Sequence, residues 1–285
     1  MMNADKLKNI ISKKAHGNSN ISQKFYQLFY FERILERISI SNYKGKIILK
    51  GGLLLTSIIG EDERTTKDMD ATLKGIPLTK NDVEKVFNEI FSIDIDDGVV
   101  FKIISIKDIR LEDEYGGFRL NILSKLDNNK TYICVELTTG DVITPREMKY
   151  NYNSIFEDKK IPIMSYTLET VLAEKFQTIV TRGLFNTRLK DFYDVYILIN
   201  TKMKELSKDN LIKAIKNTFK RRETNIDIEQ FNEVIKDLRD DNNISNLWNE
   251  YVSKNLYAKD IEFEDTINAI KQIVDILESK LAVVS

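Results

Sequence analysis

The chain has 285 residues, 42% hydrophobic and 31% charged, with a formal net charge of −1, a profile of an ordinary globular protein with room for one large domain or two modest ones. Cys134 and His16 are the only residues of their types, which excludes an internal disulfide, a thiolate zinc cluster and any histidine triad, so chemistry must run on carboxylates, lysine, arginine or backbone groups. The first twenty residues carry no apolar h-region and no run approaches the roughly 18 apolar residues of a membrane span, which predicts a cytoplasmic protein with no membrane partner.

The near-neutral total hides an uneven spread. Residues 1–50 carry ten Lys/Arg against three acids, and residues 61–141 carry eighteen acids against eleven bases. Residues 201–223 carry eight bases (Lys202, Lys204, Lys208, Lys213, Lys216, Lys220, Arg221 and Arg222) against Glu205, Asp209 and Glu223. A basic face beside an acidic one is the expectation, and the strip at 201–223 is either a phosphate-contacting surface or a solvated helix face.

In chain order, residues 4–14 and about 20–38 show helical spacing, the second with a broad apolar face of Ile21, Phe25, Leu28, Phe29, Ile34 and Ile38. Lys46 to Leu49 reads as a short strand stopping at Gly51-Gly52, and Leu53 to Ile59 as a short helix ending at Gly60. Residues 68–73 alternate like a strand, and 79–91 return to helix with Thr79 as N-cap. Residues 99–109, 117–125 and 131–137 read as strands, separated by turn-rich stretches such as Glu112-Asp113-Glu114 and Asp127-Asn128-Asn129. From about 165 onward helices are expected at 167–181, 188–200, 207–221, 227–238, 243–254 and 263–281. The division that follows is an αβ domain over 1–160 and a helical domain over 161–285.

The first candidate site is Lys50-Gly51-Gly52 with Asp68-Met69-Asp70. A strand ending in two glycines before a helix lets a polyphosphate approach free N–H groups and the helix dipole, although the same sequence also makes a plain turn. Residues i and i+2 of a strand share a face, so Asp68 and Asp70 project together. Two crowded carboxylates either share a cation, Mg²⁺ being the oxygen-seeking choice, or sit in a solvated loop. Glu136 interrupts the apolar strand around Cys134, and is either a third metal-directed acid or an edge-strand glutamate facing water. Cys134 itself reads as a small strand hydrophobe.

The helical half offers a second cluster. Lys175 falls on the apolar stripe of Leu168, Val171, Leu172, Phe176 and Ile179, where a lysine must snorkel, pair or meet an anion. The helix at 188–200 is apolar all round yet carries Arg188, Lys190, Asp191 and Asp194. Those charges form either an internal salt-bridge network or the lining of a cleft.

Several of these stretches resemble the AbiEii toxin family, within the DNA-polymerase-β-like nucleotidyltransferase superfamily. The similarity begins at Phe31-Glu32-Arg33-Ile34-Leu35-Glu36-Arg37 and runs through Ile48 to Gly52, Arg64 to Asp70, Val135-Glu136-Leu137, Gly140-Asp141 and Pro145. It is strongest at Glu169 to Lys175 and Asn186 to Asp194. The resemblance implies an α+β fold: a nucleotidyltransferase-type mixed sheet core with N-terminal helices and a C-terminal helical bundle. It implies a magnesium-dependent enzyme transferring nucleotide from an NTP to an RNA acceptor, tRNA, as the toxin of a toxin–antitoxin or abortive-infection system with a cognate antitoxin encoded nearby. Asp68, Asp70 and Glu136 would hold two Mg²⁺ ions, and Lys175 and Asp191 would join them in catalysis. Gly51, Gly52, Arg64, Lys67, Lys175 and Arg188 would bind the nucleotide. One departure is that Leu53 follows Gly51-Gly52 where the superfamily motif is often Gly-Ser, so Thr56 or Ser57 would replace the serine. A small-molecule or protein acceptor, and an NTP-binding interaction protein without turnover, are the alternatives.

Overall fold

The computed structural model describes residues 2–61, 64, 66–77, 79–109 and 116–281. The turn expected at Glu112-Asp113-Glu114, and Thr65 of the matched motif, lie outside the described residues. The first half runs α1 (Ala4–Ala15), α2 (Ser19–Ile40), β1 (Ile47–Lys50), α3 (Gly51–Ile59), β2 (Asp68–Leu73), α4 (Lys80–Phe91), β3 (Val99–Ile109), β4 (Gly117–Leu126), β5 (Asn129–Thr139), β6 (Met148–Asn153) and β7 (Lys160–Ser165). The second runs α5 (Leu168–Arg182), α6 (Leu189–Lys202), α7 (Lys208–Arg221), α8 (Ile228–Asp240), α9 (Asn242–Lys254) and α10 (Phe263–Leu281). This is the α+β architecture expected, with β6 and β7 as strands that periodicity did not reveal.

The seven strands form one mixed sheet in the order β3-β4-β5-β2-β1-β7-β6. β2 lies parallel to β5, β1 lies parallel to β7, and the other neighbours are antiparallel. On β4 and β5 one face is apolar and buried (Leu120, Ile122, Leu126, Ile133, Val135, Leu137) while the alternate residues stay partly or fully exposed. That alternation is the pattern of a sheet covered on one side. α2 packs against β5 and β7 and buries Leu28, Phe29, Tyr30, Phe31, Ile34 and Leu35.

The chain divides into two units. The first contains the residues up to Asp141 together with Glu147–Ser165, and the second contains Val142–Arg146 with the residues from Tyr166 onward. β7 runs to Ser165 beside β1, so the first unit extends past residue 160. The segment Val142–Arg146 is tied into the helical unit through Thr144: its N–H donates to Thr170 Oγ1 (2.9 Å), and its carbonyl accepts from Thr167 Oγ1 (2.7 Å). Side-chain caps start several helices, among them Thr79, the cap the sequence suggests. Thr79 Oγ1 accepts from the Asp82 N–H, Thr167 from that of Thr170 and Asp227 from that of Gln230, each worth about 1 kcal/mol. In the helical unit Phe176 packs on Phe219 and Phe231, with centroids 6.1 and 5.4 Å away.

Charges on α2 are unusually deep. Arg37 makes two parallel 2.8 Å hydrogen bonds to Asp97 and lies over the Phe101 ring, a bidentate pair whose disruption costs about 3–5 kcal/mol. Arg33, 2% exposed, pairs with Glu36 and Glu157. Glu32, fully buried, accepts from the Ser154 hydroxyl (2.5 Å) and the Ile155 N–H (2.7 Å), fastening α2 to the loop between β6 and β7.

Burial pushes the Glu32 carboxyl up from 4.5 to about 7, against the N–H of Ile155, the hydroxyl of Ser154 and the charge of Arg33. The folded protein therefore holds this proton more tightly than the unfolded chain. The stabilisation is complete below the unfolded value, about 4.5, and is lost as pH rises through about 7, on the order of 3 kcal/mol in all. Urea unfolding at pH 5 and pH 8 should show this loss in the wild type and a flattened response in Glu32→Gln. Equal pH responses in the two proteins would contradict the assignment.

Candidate functional site

The site is built around the junction of β1 and α3. Ile47, Ile48 and Leu49 are buried, and the chain leaves β1 at Lys50 into a helix that begins at Gly51. Gly51 has φ +63°, and a Cβ there would fall within 2.8 Å of Asp70 Cγ and overlap the carboxylate. At Gly52 a Cβ would meet Thr66 Oγ1 at 2.5 Å. Both glycines are thus required by close approach of neighbouring side chains, and Gly51 by its backbone conformation as well. Gly52 donates its N–H to Asp70 Oδ2 (3.3 Å), so the first free amides of α3 already face a carboxylate. Arg64, fully buried, donates to the Gly52 carbonyl (2.9 Å) and braces the turn from within.

Strand register sets the rest. Lys50 pairs with Asp70, Asp70 with Glu136, and Glu136 with Arg119, giving one cross-strand row over β1, β2, β5 and β4. The next row holds Asp68, Cys134 and Asn121. Asp68, Asp70 and Glu136 therefore share one sheet face, on strands that are all interior to the sheet. β5 is not an edge strand, which removes the reading of Glu136 as an edge-strand glutamate. Cys134 reports the resulting field: burial, then the carboxylates of Asp68, Glu136 and Asp70, push its thiol up to about 12 against the opposing Arg119. It is half-buried and stays a thiol, so it is no nucleophile.

Two cations flank the acids. Arg119 binds Glu136 Oε1 through Nε (2.9 Å) and Nη2 (2.5 Å), and Glu136 in turn raises the arginine's pKa. With Arg119 half exposed, the pair is worth at most about 1 kcal/mol and separates cheaply. Lys50 Nζ donates to Thr138 Oγ1 (2.8 Å) and Asp141 Oδ2 (2.6 Å), and Asp141 also accepts from Thr72 (2.6 Å) and Thr138 (2.7 Å). Burial opposes the Asp141 charge, but Lys50 and the two hydroxyls outweigh it and hold the carboxyl well below its usual range. Among the described residues no three His, Cys, Asp or Glu side chains close on one point as a metal cage. The donor chemistry nevertheless fits a hard divalent cation: oxygen ligands only, from Asp68 and Asp70, with Glu136 added once it exchanges Arg119.

Lys175, Asp191, Asp194 and Arg188 belong to the second unit. Lys175 Nζ sits 2.7 Å from Asp191 Oδ1 and 2.6 Å from Asp194 Oδ2, and Arg188 Nε is 3.2 Å from Asp191 Oδ2. Both aspartates are buried and Lys175 nearly so. Burial works against the Asp191 charge, yet Lys175 and Arg188 keep its carboxyl below the usual range. The internal salt-bridge network is thus present.

Of the expected nucleotide-binding residues, Gly51, Gly52 and Arg64 form the turn and Lys67 is exposed one residue before Asp68. Lys67 lies near enough to Lys24 to lower that lysine's pKa, after burial. Sequence reasoning did not single out Arg119, and it gave Lys50 and Asp141, both within the stretches of family resemblance, no role of their own. The signal for Arg119 was its place on the polar side of an alternating strand. In the basic stretch 201–223, Arg222 turns onto Gln177 and Thr178 and Lys202 pairs with Glu205. Lys213, Lys216 and Lys220 line the exposed side of α7.

No helix among the described residues is long and apolar enough to cross a membrane. No curated protein matches the chain. Two crystal structures from Helicobacter pylori align over most of it. One is described as that of a nucleotidyltransferase, with 14% identity, 92% of this chain and 98% of that one covered, and a TM-score of 0.49. The other is JHP933, with 13% identity, coverage of 92% and 96%, and the same TM-score. A family model described as the nucleotidyl transferase AbiEii toxin of type IV toxin–antitoxin systems matches residues 33–270. With most of its length inside that model, the chain belongs to the AbiEii nucleotidyl transferase toxin family.

Proposed function

We propose that this toxin is a magnesium-dependent nucleotidyltransferase that moves a nucleotide from an NTP to an RNA acceptor, tRNA. The observation that carries the reading is the row of Asp70 and Glu136 with Asp68 beside it, on the face of interior strands next to the α3 N-terminus. A structural sheet gains nothing from three acids crowded on one face, whereas a site for a cation and a triphosphate needs them. Asp68 and Asp70 would hold Mg²⁺, joined by Glu136, and the bound cation would supply neutralisation of charge developing on the phosphoryl oxygens.

The chain's own residues do the remainder. The acceptor hydroxyl attacks the α-phosphorus, the new P–O bond forms as the bond to pyrophosphate breaks, and the hydroxyl proton passes to Glu136 once Arg119 has let it go. The freed Arg119 is then a cation available to phosphate. The amides at Gly51 and Gly52 would meet the triphosphate beside the Asp70 carboxylate, and Lys50, fixed by Asp141, adds positive charge at the same turn. Asp191, ion-paired with Lys175 and Arg188, fixes Lys175. The exposed lysines of α7 supply sequence-independent contacts to the RNA backbone.

Labelled NTP incubated with Mg²⁺ and total tRNA should give labelled tRNA with the wild-type chain. Asp68→Asn and Asp70→Asn should lose at least about a hundredfold in rate while melting within a few degrees of wild type. Induced in a bacterium lacking the antitoxin, the wild type should arrest growth and Asp70→Asn should not. Near-full transfer by either variant, or equal toxicity, would remove the carboxylates from the mechanism.

Lys175→Met leaves two buried carboxylates without their shared cation. It should cost about 3–5 kcal/mol of stability, and adding Asp194→Asn should restore part of it. A loss below about 1 kcal/mol would show that the lysine does not hold the pair.

A further inference from the structure

The face that carries the carboxylates does not end with them. Past the row of Asp68, Cys134 and Asn121, the ladder brings Lys102, Leu123 and Tyr132 into register, and then Val100, Lys125 and Lys130. Paired residues share a face, so these rows extend the Asp68 surface over β5, β4 and β3. The surface is open. Tyr132 is 67% exposed, Val100 is 62% exposed, and Lys102, Lys125 and Lys130 are all exposed around a half-buried Leu123. At about 3.3 Å per residue, Tyr132 lies roughly 7 Å along β5 from the Asp68 row and Lys130 roughly 13 Å.

We propose that this exposed face of β3, β4 and β5 is the platform for the unpaired end of the RNA acceptor, with a base stacked on Tyr132 and the backbone held by Lys102, Lys125 and Lys130. The inference rests on the RNA-acceptor reading above and names the surface that serves it. A tyrosine two-thirds exposed on a flat sheet carries its apolar ring in water, a cost with no structural return; an unpaired base removes it. Three lysines around it give the charge that a phosphate backbone complements, and the same charges oppose the docking of a second copy on this face. The rows run straight into the carboxylates, so a strand lying along them delivers its terminal hydroxyl to Asp68 and Asp70. Duplex RNA presents no free base to the ring, which makes the platform selective for unpaired ends.

The test is fluorescence anisotropy of a short labelled single-stranded RNA on the full chain, over a series of salt concentrations, with sedimentation and a thermal melt of every variant. Tyr132→Ala should weaken binding about 5- to 150-fold, the range for one stacked base, and Tyr132→Phe should bind as wild type. Replacing Lys102, Lys125 and Lys130 by glutamine should flatten the slope of log K against log salt by about 2. The KM for NTP should not change. Wild-type affinity and slope in these variants, or equal losses for single-stranded and duplex RNA, would overturn the platform. So would a change in self-association without a change in RNA affinity, which would assign the face to a second copy. If the variants lose RNA binding while the wild type moves its label to something other than RNA, the platform stands and the acceptor reading falls.

Discussion

The site depends on one close approach. The Asp70 carboxylate occupies the space where a Cβ of residue 51 would be, and residue 51 has a positive φ at the first position of α3. Only glycine satisfies both conditions. That contact brings the acid of a central strand under the N-terminal amides of a helix, and the Gly52 N–H fixes its direction. The bracing continues behind it, with Arg64 on the Gly52 carbonyl and Thr66 against the Gly52 α-carbon. A turn that sequence logic assigns to phosphate approach is therefore built to admit a carboxylate, with Asp70 and Thr66 filling the space the two missing side chains leave.

Around this contact the sheet flanks two adjacent acids with two cations. Arg119, Glu136, Asp70 and Lys50 stand in one row, and each acid has a cation on its outer side. Lys50 is held by Thr138 and by a partly buried Asp141 that Thr72 and Thr138 brace, whereas Arg119 is half exposed and loosely held. The asymmetry suits a site in which one cation is fixed and the other exchanges. Burial first, and then the carboxylates of Asp68, Glu136 and Asp70 against Arg119, raise the Cys134 thiol to about 12.

Much of this was legible in the chain. The i, i+2 spacing of Asp68 and Asp70 fixes a shared face once β2 is a strand, and the helix boundaries followed from apolar spacing and, at Thr79, from the cap. The strands β6 and β7 were not legible. Met148–Asn153 alternates weakly, and Pro162 in Lys160–Ser165 argues against a strand interior. Pro162 is tolerated because β1 pairs with β7 only at Met164 and Ser165, leaving its position without a ladder partner on that side. Strand order is set by long-range pairing, so the interior position of β5, and with it the Arg119–Glu136 contact, could not be read from local pattern. The buried charges of α2 were hidden similarly: Glu32, Arg33 and Arg37 look like the solvent side of an amphipathic helix until their partners at 97 and 154–157 are brought to them.

The proposed reaction needs the carboxylate row to be a cation and triphosphate site. A crystal structure of the full chain with Mn²⁺ and a non-hydrolysable NTP tests it most directly, since Mn²⁺ scatters anomalously. Manganese should lie on Asp68 and Asp70 and the triphosphate at the Gly51–Gly52 turn, with Glu136 turned from Arg119 toward the metal. Manganese and nucleotide bound elsewhere, with the Arg119–Glu136 pair intact, would contradict it.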